Sequence, residues 1–275
     1  MIDGRTRVAG IIGSPVEHSL SPVMHNAAFV ACGLDWVYVA FEVTAGAAAA
    51  ALSAVRTLGL AGLSVTMPHK TVVAGLVDEC SPAVEALAAA NTVVVRSDGT
   101  LVGETTDGDG FLDALRLNHG IEPAGLSVVV FGAGGAARSV VLALAEAGCR
   151  EVVVVNRTAE TAQAAAALAG ARGRVGGPAD VRRADLVVQA TPRGMGVPGD
   201  LAFDPDLLRD GQIVADLVYH PLRTALLEAA AERGCATVDG LGMLVHQGAR
   251  QLTLWTGMEA PRAVMRAAAE AALQA

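Results

Sequence analysis

The sequence predicts an α/β protein of two lobes, an N-terminal lobe with a mainly parallel sheet and a C-terminal lobe built as a second βαβ series. Three observations lead there. Strand-like and helix-like segments alternate from the first residues onward, the order that parallel sheets require. A glycine-rich turn near the middle joins a continuous apolar run to a helical one. Hydrophobic residues make up 52% of 275 while aromatics supply only 3%, so there is core material for one large domain or two medium ones, packed mostly from Ala, Val and Leu.

The elements follow in order. "RVAGIIG" reads as a strand, and Ser21 to Gly33 as a helix entered through Ser-Pro. "WVYVAFEV" is a second strand, Ala45 to Leu58 an Ala-rich helix, and "LAGLSVTMP" a third strand. In "NTVVVRSDGTLVGETT" two short strands flank Asp98-Gly99, a hairpin signal. A helix is expected from about Gly110 to Asn118. The second series opens with "GLSVVVFGAGGAARSVVLALAEAG" and continues through "EVVVVNRT", "ADLVVQATP", "QIVADLVY" and "CATVDG"; the tail from Leu241 is mostly helical. The Ala runs at 47–51 and 164–167 are good helix formers and need no further reading.

Charge and cysteine usage exclude several classes. Lys plus Arg number 20 against 28 Asp plus Glu, a net charge of −8, and no basic run is long enough to follow a phosphate backbone, so no nucleic-acid partner is expected. Mean hydropathy is +0.45, yet apolar stretches such as Ser139 to Ala147 are interrupted well before a membrane span's length, so no membrane association is expected. The N-terminus lacks a signal peptide's apolar core. Cys32, Cys80, Cys149 and Cys235 show no C-x-x-C spacing. Neither a zinc site nor a disulfide framework is expected, which suits a reducing cytoplasm.

The glycine turn is the most interpretable local motif. Gly132-Ala133-Gly134-Gly135-Ala136-Ala137 matches G-x-G-x-x-A, directly after the strand Val128 to Phe131 and directly before a helix. Gly132 allows a tight turn, Gly134 a close approach of backbone to pyrophosphate, and Ala137 close helix–strand packing. N–H groups at the helix start attract phosphates. In that context the motif predicts a Rossmann lobe with a dinucleotide site. An NAD site would place Asp or Glu at the end of the next strand; here Asn156-Arg157-Thr158 stand instead. Arg157 can pair with a 2′-phosphate, so NADP is favoured and NAD is the weaker alternative; a solvated surface arginine is the competing reading.

"SVTMPHK", Ser64 to Lys70, puts a lysine on a turn just past a strand that Pro68 ends. A surface lysine is the ordinary explanation for one such residue. Read with "HSLSP", "NTVVV", "TTDGDGF", "GAGGAA", "NRT", "ATPRGM", "DLVYHP" and "DGLGMLVHQ", in that order from about Gly10 to Gly257, the chain resembles the shikimate dehydrogenase family. The resemblance implies a substrate-binding catalytic domain over 1–106, completed by C-terminal helices 241–275, and an NADP-binding Rossmann domain over 107–240. It implies NADP-linked, reversible reduction of 3-dehydroshikimate to shikimate in aromatic amino-acid biosynthesis, by a monomer or homodimer.

The same resemblance implies roles for individual residues. Lys70 matches the catalytic lysine and Asp107 its carboxylate partner. Ser19 and Ser21 match the hydroxyls that bind the substrate carboxylate, Thr66 a substrate contact, Asn91 and Asp107 the binders of ring hydroxyls, and Tyr219 and Gln247 further substrate contacts. Gly132, Ala133, Gly134, Gly135 and Ala136 match the phosphate loop, Asn156, Arg157 and Thr158 the adenine-ribose end, and Thr191, Leu217 and Gly240 the nicotinamide side. Ketone reduction needs a hydride on carbon and a proton on oxygen; a lysine serves the second need, and no metal is implied. A partner carboxylate favours the lysine's charged form and burial its neutral form, an opposition the sequence leaves open. His25 and His69 read as structural. The chain departs from the common pattern at Ser64 and Thr105, where the family usually has Asn, and at Thr161, where many members carry a second arginine. A quinate or aminoshikimate dehydrogenase remains an alternative within the family, and a non-catalytic NADP-binding redox sensor an alternative outside catalysis. "HSLSP" lacks the G-x-S-x-G elbow of a serine hydrolase.

Overall fold

The computed structural model describes residues 2–197 and 199–274. In chain order the elements are β1 (Arg7–Gly13), α1 (Ser21–Ala31), β2 (Trp36–Glu42), α2 (Ala48–Leu58), β3 (Gly62–Val65), α3 (Lys70–Ala74), β4 (Glu79–Cys80), α4 (Pro82–Leu87), β5 (Thr92–Val95), β6 (Leu101–Glu104), α5 (Asp107–Asp113), β7 (Ser127–Phe131), α6 (Gly135–Glu146), β8 (Glu151–Val155), α7 (Ala159–Ala167), β9 (Gly173–Val175), β10 (Leu186–Gln189), β11 (Ile213–Asp216), α8 (Ala225–Glu232), β12 (Ala236–Val238), α9 (Gly240–Thr256) and α10 (Arg262–Leu273). They form two compact units, residues 1–106 with 247–275 and residues 107–246. The second boundary falls inside α9. No helix among the described residues is long and apolar enough to cross a membrane.

The first unit holds a six-stranded sheet in the order β2-β1-β3-β5-β6-β4. β1 pairs in parallel with β2 and β3, whereas β5 is antiparallel to both β3 and β6. The antiparallel part is the hairpin across Asp98-Gly99. Its turn closes through Arg96 N–H to Thr100 C=O at 2.9 Å, with Gly99 at φ +88°, where a side chain is disfavoured. On one face Leu52 and Val55 of α2 meet Ile12, Leu63, Val65 and Val93 of the strands. On the other lie buried Met24 and Phe29 of α1, Leu252 of α9 and Met265 of α10. Trp255 of α9 rests directly on Gly62. A Cβ there would stand 2.4 Å from the indole Nε1, which donates instead to Val93 C=O at 3.1 Å. Glycine at 62 is therefore what lets α9 close on β3.

The second unit is an all-parallel sheet, β12-β11-β10-β7-β8-β9. Strands buried on both faces need continuous apolar runs, and "VVVF", "VVVV" and "LVV" supply them. α6 contributes buried Ala137, Val140, Val141 and Leu144 to one layer, and Leu226, Leu227 and Ala230 of α8 contribute to the other. Gly108 lets α5 pack tightly on α6, since a Cβ there would lie 2.5 Å from Ser139 C=O.

Candidate active-site residues

In the first unit, β1 and β3 run parallel and β5 runs against them, so the carboxyl ends of β1 and β3 and the amino end of β5 share one edge. Ser19 and Ser21 follow β1 there. Ser21 is buried at the start of α1, and its N–H donates to Ser19 Oγ at 3.2 Å. Thr66 follows β3 and bonds back to Ile12 C=O at 3.0 Å. Lys70 does not lie on an open turn, as the sequence reading expected; it is the first residue of α3. Two anchors wind this segment into a helix. His69 Nε2 bonds to Val43 C=O at 2.7 Å, and Val73 is fully buried. The Lys70 carbonyl accepts from Ala90 N–H at 3.0 Å, which places the lysine backbone beside the start of β5.

Asn91 stands at that start, buried. Val65 N–H donates to its backbone carbonyl at 2.7 Å, and its own N–H donates to Glu104 C=O at 3.1 Å. Its side-chain Oδ1 accepts from Thr106 N–H at 2.9 Å and from Thr92 Oγ1 at 2.7 Å, and Nδ2 donates to Thr106 Oγ1 at 3.0 Å. Asp107 is the next residue after Thr106, opens α5 and is 7% exposed. Gln247 is buried on α9. Its neighbour Gly248 faces His25, whose Cε1 would lie 3.3 Å from a Cβ at 248. His25 in turn stacks on Tyr38, ring centroids 4.3 Å apart, and bonds through Nδ1 to Ser21 C=O at 3.0 Å. Burial holds the His25 imidazolium pKa down to about 4.

In the second unit every strand points the same way, so the loops after β7, β8, β10, β11 and β12 all leave one edge. β7 is flanked by β8 on one side and β10 on the other, which is the switch point where nucleotides bind in such sheets. Gly132 turns the chain at φ +111°, a conformation that favours glycine. A Cβ there would also lie 2.9 Å from Ala190 C=O and 3.2 Å from Thr191 Cγ2. Gly134 caps α6 in extended backbone, and a Cβ built on it meets no protein atom within 4 Å. That open space before the N–H groups of a twelve-residue helix fits a phosphate.

The flanking loops are held by buried polar groups that the sequence reading did not single out. Gln189 Oε1 accepts from Thr191 N–H and Oγ1, both at 2.9 Å, while Nε2 donates to the carbonyls of Thr191 and Arg193. Asp216 accepts from Val218 N–H at 3.0 Å and Thr224 Oγ1 at 2.7 Å, and burial raises its pKa to about 6. Gly240 packs on the Leu217 and Val218 carbonyls, 2.4 and 2.7 Å from its would-be Cβ. Thr191, Leu217 and Gly240 thus come together at one edge. Tyr219 follows on the same loop, and burial raises its phenol pKa. At the end of β8, Asn156 Nδ2 donates to Thr161 Oγ1 at 2.7 Å and to Thr158 C=O at 3.2 Å, so both side chains brace the loop. Arg157 is exposed between them.

Comparison with known proteins decides the family. Residues 11–93 match the shikimate dehydrogenase substrate binding domain, 118–192 match shikimate / quinate 5-dehydrogenase, and 240–270 match the shikimate 5'-dehydrogenase C-terminal domain. The shikimate dehydrogenase (NADP(+)) of Moorella thermoacetica is 46% identical, over 96% of this chain and 92% of that protein. The chain belongs to the shikimate dehydrogenase family. Among solved structures of that family, a shikimate dehydrogenase in complex with NADP+ superposes with a TM-score of 0.94 at 38% identity, over 99% of this chain and 98% of the other. The shikimate 5-dehydrogenase of Thermus thermophilus, in complex with NADP(H) and shikimate, gives 0.91 at 37% identity, over 97% and 99%.

Proposed function

We propose that this chain catalyses the reversible, NADP-linked reduction of 3-dehydroshikimate to shikimate. One observation carries the reading beyond family membership. In each unit, the residues that match the family's motifs stand on a single strand-end edge, although they are scattered along the sequence. Ser19, Ser21, Thr66, Lys70 and Asn91 share the edge of the first sheet. Gly132 to Ala136, Asn156 to Thr158, Thr191, Leu217 and Gly240 share that of the second.

The assigned roles follow from what each group offers. Gly132 to Ala136 hold the cofactor's pyrophosphate at the start of α6, Arg157 takes the 2′-phosphate, and Thr191, Leu217 and Gly240 line the nicotinamide side. The cofactor supplies the hydride when bound. Ser19 and Ser21 bind the substrate carboxylate. Thr66, Asn91, Tyr219 and Gln247 contact the substrate, and Asn91 and Asp107 bind its ring hydroxyls. Lys70 gives the proton to the carbonyl oxygen and takes it back in the oxidative direction, with Asp107 as its carboxylate partner. The four cysteines are unbridged, which supports a reducing cytoplasm as the place of action.

The deciding measurement is kcat/KM for shikimate and for quinate with NADP, followed at the nicotinamide absorbance. Quinate carries one more hydroxyl on the carboxylate-bearing carbon. Desolvating it without a partner costs about 1–3 kcal/mol, so shikimate should lead by roughly tenfold to a hundredfold. Equal values or a lead for quinate would move the assignment to the quinate branch, and absence of turnover with either would leave a binding protein.

A further inference from the structure

Gln251 lies one helical turn after Gln247 on α9 and is 1% exposed. A glutamine so deeply buried must have partners for its carbonyl and its amide. Here both lead back to the edge of the first sheet. Oε1 accepts from Ser64 Oγ at 2.7 Å, and Ser64 accepts from the Tyr38 hydroxyl at 2.7 Å. Nε2 donates to Thr92 Oγ1 at 2.9 Å and to Asn91 C=O at 3.4 Å. Tyr38 also stacks on His25, whose Nδ1 bonds to Ser21 C=O. One chain of side chains therefore runs from Tyr38 through Ser64, Gln251 and Thr92 to Asn91, and the His25 ring joins its far end to the Ser21 backbone.

The direction of every proton in that chain follows from one backbone group. Thr106 N–H can only donate, so the Asn91 atom it meets at 2.9 Å is the carbonyl Oδ1. The Thr92 hydroxyl, 2.7 Å from the same oxygen, must then donate to it. Its lone pair is left to accept from Gln251, so the Gln251 atom facing it is Nε2. The other end of that amide, Oε1, requires Ser64 to donate, and Ser64 then accepts from Tyr38. The two donors fill both lone pairs of Asn91 Oδ1. Toward any further group Asn91 presents N–H, and Ser64 presents a lone pair.

We propose that Gln251 is a positioning residue for substrate. Through Thr92 it braces the Asn91 amide in the orientation that Thr106 N–H sets, and through Ser64, Tyr38 and the His25 ring it links that amide to the start of α1, so that the two ends of the substrate-binding edge are set as one unit. This rests on the proposed function, which gives Asn91 and Ser21 their substrate contacts. Gln251→Met keeps approximate volume and removes both polar ends. It should raise KM for shikimate about tenfold, the usual effect of losing a buried hydrogen-bond partner, while KM for NADP stays unchanged. Combined with Asn91→Ala, its loss should be far from additive, since both changes act on one hydrogen-bonded chain through Thr92. Tyr38→Phe keeps the ring that stacks on His25 and cuts only the far end of the chain. It should raise the same KM by a smaller factor, and it decides the matter if Gln251→Met does not fold. A lowered melting temperature with KM for shikimate unmoved, in whichever variant folds, would mean that Gln251 only fills the core and would overturn the proposal. Wild-type protein without shikimate turnover would overturn the proposed function and this inference with it, whereas wild-type turnover with unmoved KM in the variants overturns the inference alone.

Discussion

At the scale of single residues, Lys70 and Arg157 are both flexible cations, and the proposed function gives them different tasks. Lys70 is anchored by its backbone beside Asn91. Lys70→Ala should lower kcat by about 10²–10⁴-fold, the usual contribution of a positioned acid–base group, with KM for NADP nearly constant. Stopped-flow reduction that fell less than tenfold would remove the lysine from proton transfer. Arg157 stands exposed on a loop braced by Asn156 and Thr161. Arg157→Ala should weaken NADP by about tenfold to a hundredfold, because a charged phosphate contact is worth roughly 1.5–3 kcal/mol, and should leave NAD almost unchanged. Equal losses in titrations with the two cofactors would place the 2′-phosphate elsewhere. At this scale the sequence could name candidate residues, because each motif is a short word. What a short word cannot carry is a partner far away. Ser64 reads only as a shortened side chain until Gln251, 187 positions later, is seen to complete it. The i, i+4 repeat of Gln247 and Gln251 on one helix was the available signal.

At the scale of elements, two glycines separate packing from binding. Gly108 is pressed against α6, with a would-be Cβ 2.5 Å from Ser139 C=O and 2.8 Å from the Ala143 side chain. Gly108→Ala should lower the denaturant midpoint by the equivalent of about 1–3 kcal/mol, since helix backbone has little room to yield. Gly134 faces open space at the start of α6. Gly134→Ala should keep the unliganded melting temperature and weaken NADP by about tenfold or more, as phosphate-to-backbone hydrogen bonds are lost. If Gly134→Ala instead destabilised the free protein while NADP bound normally, the phosphate loop would have to be sought elsewhere. The long strands and helices were legible because apolar runs and Ala-rich stretches repeat over many residues. β4, only Glu79–Cys80, and β9, only Gly173–Val175, are too short to show any period. The helical state of Lys70 was hidden because it is imposed by His69 reaching Val43, a contact made only after folding.

At the scale of the whole molecule, the two units answer acid in opposite ways. His25, in the first, has its pKa depressed to about 4 by burial. Its contribution is complete above pH 6.5 and is lost as pH falls through 4. Asp216, in the second, has its pKa raised to about 6. Its contribution is complete below about pH 4 and is lost as pH rises through 6. Each amounts to roughly 3 kcal/mol across its window, so between about pH 6 and 4 the two trends oppose each other. Asp216→Asn should remove the favourable one, and its melting temperature should then drop more steeply with acid than that of wild type; parallel curves would show that Asp216 does not titrate there. The order of synthesis adds a separate consequence. Residues 107–246 are contiguous, so their sheet has all its strands before the ribosome has made α10. The first sheet is different. Its strands emerge first, yet the indole that covers Gly62 and caps Val93 arrives only with Trp255. For the time needed to translate about half the chain, one face of the first sheet has only α1 to cover it. A nascent chain stalled just before Gln247 should therefore be cut readily within residues 1–106 while 107–246 resists protease, and it should hold a chaperone that full-length chains release.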